Sequence, residues 1–171
     1  MNRIAFGILL FLGLSLFLGC EKDDICVDAD TPLLIIRFFD IENRTEFKVV
    51  PSLRVIGIDN GNPVNTFVDR LSTLDSIAIP LKTTEDITSF SFIVGSEDDE
   101  SGEEIGKIDT IQFNYTAEEV FISRACGFII NYDNLDTDFT PANENWIQQI
   151  EIVKSLVMTE EEVTAHVKIY H

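Results

Sequence analysis

From residue 33 onward, apolar residues recur in short runs separated by turn formers, and the runs have strand character. Residues 33–39, 47–50 and 53–58 are rich in β-branched and aromatic side chains, and Asp59-Asn60-Gly61-Asn62-Pro63 closes the third run. Residues 76–81 alternate, with Ile77, Ile79 and Leu81 on one face, and Phe90-Ser91-Phe92 alternates ahead of Ile93-Val94. Residues 105–115 place Ile111, Phe113 and Tyr115 on one side. Val120-Phe121-Ile122 then leads through Arg124-Ala125-Cys126-Gly127 into Phe128-Ile129-Ile130. At the end, Val163, Ala165, Val167 and Ile169 alternate with Thr164, His166, Lys168 and Tyr170.

Residues 145–158 carry two patterns. Trp146, Ile150, Val153 and Val157 fit helical spacing, whereas Ile150 and Ile152 alternate as in a strand. The strand is the preferred reading, paired with residues 163–170 across Thr159-Glu160-Glu161-Glu162. About nine short strands then follow one another at spacings near ten residues, with no alternation of strands and helices. The expected fold is all-β: an antiparallel β-sandwich of the immunoglobulin-like or Greek-key kind.

The residues ahead of this body read differently. Arg3 is followed by residues 4–18, apolar apart from Gly7, Gly13 and Ser15. That run suits the core of a secretory signal peptide and falls short of the roughly 20 residues that span a bilayer; a single membrane anchor is the alternative. Leu18-Gly19-Cys20 resembles a bacterial lipobox, whose cysteine is acylated and becomes the new N-terminus. Phe17 and Leu18 depart from the usual residues of that motif. The expected organisation is a signal peptide over residues 1–19, a lipidated acidic linker over 20–32, and the sandwich domain over 33–171. Within the linker, Lys22-Asp23-Asp24 resembles the surface-export signal of lipoproteins of the Bacteroidota, with a merely solvated linker as the alternative. The resemblance implies a lipid-anchored protein of the outer membrane, held through Cys20. The cell surface is the expected face and the periplasmic side the alternative.

Charge and cysteine count narrow the partners. Twelve Lys and Arg stand against 30 Asp and Glu, for a net charge of −18, and removal of residues 1–19 takes Arg3 with it. Such a chain does not track nucleic acid, whose phosphates demand Lys and Arg. Nor does it bind anionic headgroups by charge, so the lipid itself must anchor it. With Cys20 acylated, Cys26 and Cys126 remain, an even number in an exported protein. A disulfide between them is the economical reading, and two buried thiols the other. Gly127, beside Cys126, is a candidate bulge that lets the bridge reach the linker.

Reactive constellations are sparse. His166 and His171, five residues apart, fall on opposite sides of one strand and do not make a zinc site. No nucleophile elbow, phosphate loop or dinucleotide fingerprint occurs. Residues 96–104 form an acidic run, read as a mobile hairpin loop. Asp133, Asp136 and Asp138 sit close enough in sequence to suggest a calcium loop, although the Gly and distant Glu of an EF-hand are missing. Thirteen Phe against one Trp and three Tyr indicate core filler more than a sugar-stacking face, with Trp146 the strongest platform available. Asp75-Ser76-Ile77 and Asp109-Thr110-Ile111 resemble O-glycosylation acceptors of the same bacterial group.

A set of segments together resembles a family of uncharacterised Bacteroidota lipoproteins known only as a domain of unknown function. These are Cys26, residues 34–40, Leu74-Asp75-Ser76-Ile77, Phe113-Asn114-Tyr115, Ser123-Arg124-Ala125-Cys126-Gly127 and the closing His166-Val167-Lys168-Ile169-Tyr170. The resemblance implies the address and the fold and brings no chemistry. The expectation is a non-enzymatic, cofactor-free interaction or accessory domain, with an outer-membrane protein as its possible partner. The alternative is a glycan- or calcium-binding module using Asp133, Asp136, Asp138 and Trp146.

Overall fold

The computed structural model describes Cys26, residues 30–159 and residues 164–171. Among them there is no helix. Eight strands form: β1 (Leu34–Phe39), β2 (Arg54–Gly57), β3 (Ser76–Ile79), β4 (Ile87–Val94), β5 (Lys107–Ser123), β6 (Gly127–Asp138), β7 (Gln149–Ile152) and β8 (Val167–Tyr170). They make two four-stranded sheets, ordered β3-β1-β8-β7 and β2-β4-β5-β6. Every pairing is antiparallel except β1 with β8, where Ile36 lies opposite Val167 and Phe38 opposite Ile169 in parallel register.

The alternating patterns become the inner faces. Leu34, Ile36 and Phe38 of β1, Ile77 and Ile79 of β3, and Val167 and Ile169 of β8 meet Val55, Phe90, Phe92, Ile111, Phe113 and Tyr115 of the other sheet. Tyr132 and Leu135, both on β6, face the core although three residues apart. The pairing with β5 shifts between Asn114 and Thr116, and Asn134, opposite that shift, adopts a left-handed φ of 55°. An extra residue at this bulge reverses the strand's alternation, and asparagine tolerates the conformation better than most residues.

Three expectations about elements change. Residues 47–50 form isolated bridges (Phe47 to Phe39, Val50 to Leu74) in place of a strand. Residues 120–122 are not a separate strand, because β5 runs unbroken for 17 residues. The strand reading of the 145–158 segment holds for Gln149–Ile152, which pairs with β8 as expected. The return, however, is longer than a hairpin turn: Val157 crosses to bridge Tyr132 of the other sheet. Of the expected turn 159–162, residues 160–162 lie outside the described residues, as does Val163.

Phe92 is fully buried between the sheets, in ring contact with Phe90, and its carbonyl accepts a hydrogen bond from Trp146. Phe92→Ala is expected to lower unfolding free energy by about 3–5 kcal/mol, read from denaturant melts. A loss below about 1 kcal/mol would contradict this core assignment.

Candidate functional site

The β5–β6 hairpin is longer than the sheet that carries it. Strand β4 pairs with β5 from Lys107 to Asn114, and the Asp86 carbonyl and carboxylate reach the Tyr115 and Ala117 amides. Beyond Ala117 and Tyr132, β5 and β6 pair with one another, and no third strand joins them among the described residues. At about 3.3 Å per residue, this two-stranded arm projects roughly 20 Å. Its turn, Arg124-Ala125-Cys126, ends at Gly127, which has a φ of 72° that a side chain would oppose. Pairing slips by one residue between Phe121 and Ser123.

The arm's tip is tied back to the start of the chain. Cys26 and Cys126 form a disulfide across 100 residues, with Cα atoms 4.9 Å apart. Beside it, Phe121 and Phe128 lie directly opposite each other, rings 5.3 Å apart and edge to face. They are 56% and 64% exposed. Phe47, also exposed, is by contrast covered by the Arg37 guanidinium 3.8 Å from its ring centre.

The acidic run forms a second feature. Residues 96–104 do connect β4 to β5, yet they are folded around one carboxylate. Glu104 accepts from the Ser96 hydroxyl at 2.7 Å, the Gly106 amide at 2.9 Å, the Glu97 amide at 3.1 Å and Arg54 at 3.3 Å. Arg70 adds a fork onto Asp98 and donates to Ser96 at 3.0 Å. Burial opposes ionisation of Glu104, but these donors outweigh it and hold its pKa down to about 2. Gly106 is required where the run returns, since a Cβ there would lie 2.9 Å from the Ser96 Cα.

The residues singled out for ligand binding do not converge. Asp133 and Asp136 cap their own neighbours, each carboxylate accepting the amide of the next residue. Among the described residues no group of three or more His, Cys, Asp or Glu could hold a metal ion. Trp146 is buried, not a platform: its indole N–H donates to the Phe92 carbonyl at 3.2 Å, and its ring packs against Phe38 and His171. Asp109 is likewise structural, accepting from the Ile147 amide at 2.8 Å and from the Asn145 side chain. Thr110 is exposed and Ser76 half-buried.

The two histidines fall on opposite sides of β8's ends and serve packing. His166 Nδ1 accepts the Ile35 amide at 3.0 Å, and the His166 amide donates back to the Ile35 carbonyl. Burial, with the nearby Lys154 charge, pushes the His166 pKa down to about 4. An open cleft of about 360 Å³ lies between the 57–65 and 80–90 segments, but its cation, Lys82, is already paired with Asp59 at 2.6 Å and Glu85 at 2.9 Å. Cys20 and Lys22, Asp23 and Asp24 lie outside the described residues.

Two packed sheets with a disulfide-pinned arm define a β-sandwich domain. The chain belongs to a family of unknown function (DUF6452), which matches residues 52–171. That match begins just before β2, whereas β1 and Cys26, outside it, pair with β3, β8 and Cys126 within it. No curated protein and no solved structure is significantly similar to the chain.

Breaking the bridge by Cys126→Ser is expected to cost up to about 4.7 kcal/mol, the chain-entropy value for a loop of this size. Thermal melts with and without reductant check this: wild type should lose several degrees on reduction and the variant none. The Glu104 carboxyl, ordinarily near 4.5, sits at about 2 in the folded protein. Its contribution is therefore complete above about pH 4.5 and lost as pH falls toward 2. Glu104→Gln should reduce stability at neutral pH by about 1–3 kcal/mol and flatten the acid limb within that window. An unchanged limb would show that Glu104 does not organise the loop.

Proposed function

We propose that this chain is a lipid-anchored lipoprotein of the outer membrane, acylated at Cys20, carried to the cell surface, and acting through protein contacts without catalysing a reaction. The observation that carries the reading is the disulfide. Bridges of this kind persist in oxidising compartments outside the cytosol. This one joins Cys126 to a cysteine only six residues after the lipobox-like Cys20. The apolar run over residues 4–18 and Lys22-Asp23-Asp24, which resembles the Bacteroidota export signal, agree with it.

A non-catalytic role is supported by what the perturbed groups do. Among the groups with shifted pKa, the Glu104 carboxylate holds the acidic loop together and His166 Nδ1 takes a backbone amide. The expected work is that of an accessory or surface-facing interaction domain, with an outer-membrane protein as its partner class. Glycan or calcium binding has no such support, because Trp146 is in the core and the three aspartates are spread along a bulged strand.

Cys20→Ala is expected to abolish labelling by radioactive palmitate and to remove the protein from the outer-membrane fraction. Protease added to intact cells should remove the wild-type signal while a periplasmic control survives. Palmitate labelling that survives in the Cys20→Ala protein, or that is absent from the wild type, would refute the lipid anchor at Cys20. Protection of the wild type until the outer membrane is broken would refute the surface placement and move the search for partners to the periplasm.

A further inference from the structure

We infer that the tip of the β5–β6 arm is a second membrane contact, with Phe121 and Phe128 entering the interfacial layer of the same bilayer that holds the acyl chains. The inference rests on the lipid-anchored reading above and adds to it how the domain stands on the membrane. The tether decides the geometry. Cys20 precedes Cys26 by six residues, which reach at most about 21 Å when fully extended. The bridge then places Cys26 against Cys126 at the turn of the arm. The end of the molecule held nearest the bilayer is therefore the hairpin tip, not the body of the sandwich.

What that tip presents suits a lipid surface. Phe128 is two residues from Cys126, and Phe121, three residues ahead of the turn, lies opposite it, so both rings flank the bridged turn. They are more than half exposed, packed on each other, and neither belongs to the core cluster. Side chains of this kind bring large apolar area with few rotatable bonds, and aromatic residues favour the headgroup boundary. Charge points the same way. In a chain with 30 acids, residues 120–132 contain none, and Arg124 is their one charged side chain. The linker, in contrast, carries Glu21, Asp23 and Asp24. Anionic headgroups would repel those acids, so the fitting surface is zwitterionic. A protein partner covering the two rings is the competing occupant, and the tether favours the bilayer because the acyl chains bring it within reach of every copy.

The test uses the full chain, purified with its lipid and reconstituted into phosphatidylcholine vesicles, carrying Phe128→Trp. Intact mass is read first. Buried Trp146 serves as the internal reference for fold and for background emission. Lipids brominated near the headgroup end of the acyl chain are expected to quench the introduced indole several-fold more than Trp146, and aqueous iodide to quench it less than in detergent-free buffer without vesicles. Adding Phe121→Ser should reduce the bromolipid quenching. Acylated, vesicle-bound protein whose introduced indole is quenched no more than Trp146, and stays open to iodide, would overturn the inference while leaving the anchor intact. A mass without acyl chains would overturn the anchor reading and this inference with it.

Discussion

The parallel pairing of β1 with β8 is the constraint on which the sandwich depends. It puts the first and last strands side by side at the centre of one sheet, with β3 and β7 as its edges. Ile36 and Phe38 then line up with Val167 and Ile169, and all four are fully buried. Strands buried on a sheet's inner face in the middle of the layer contribute most apolar area per residue, so this pair fixes the layer that β4 and β5 pack against. His166 extends the pairing by one step, its amide donating to the Ile35 carbonyl while its ring Nδ1 accepts the Ile35 amide. Phe38 of β1 also meets His171, directly after β8, and Trp146, from the segment ahead of β7, in one aromatic cluster.

The second sheet is organised less by burial than by devices that end or redirect pairing. Two-stranded ribbons are marginal in water, and the distal half of the β5–β6 hairpin is one. A bulge at Asn134, a second slip near Gly127 and the Cys26 bridge are what shape and hold it. At the opposite end of β5, the chain would place a block of like charges. Arg54 and Arg70 convert that block into a folded loop by surrounding Glu104 and Asp98 with donors. Partly shielded networks of this type do more than isolated surface pairs, whose worth is small.

Much of this was legible in the sequence because a period of two survives wherever a strand has one buried face. The residues 77, 79, 90, 92, 111, 113, 115, 167 and 169 all face the core as their alternation implies. Where one face did not meet the core, the reading failed. Thr116, Glu118 and Glu119 interrupt the apolar pattern of β5, so its two halves read as separate strands; on a free arm those polar residues cost nothing. Trp146 and Val157 mimicked helical spacing because irregular segments drop them into the core at intervals set by other strands. The aspartates of β6 were close in sequence, but Asp133 and Asp136 turn their carboxylates onto neighbouring amides, and among the described residues no metal-ligating group forms. The order of the acidic loop was hidden for a different reason: Arg54 and Arg70 lie 50 and 34 residues from Glu104, and no local pattern announces such partners. The pairing of Cys26 with Cys126 followed from counting, while the arm it pins did not.

The central place of β8 also sets when folding can happen. Until residues 167–170 have been made, β1 has β3 on one side and nothing on the other, and β7 has no strand to join. Loop closure across more than a hundred residues must precede the gain from those contacts, which is the regime of slow, late-committing β topologies. A chain in which residues 167–170 are held back thus lacks the strand that joins β1 to β7. Its first sheet stays split between β3-β1 and β7 until those four residues are free to pair.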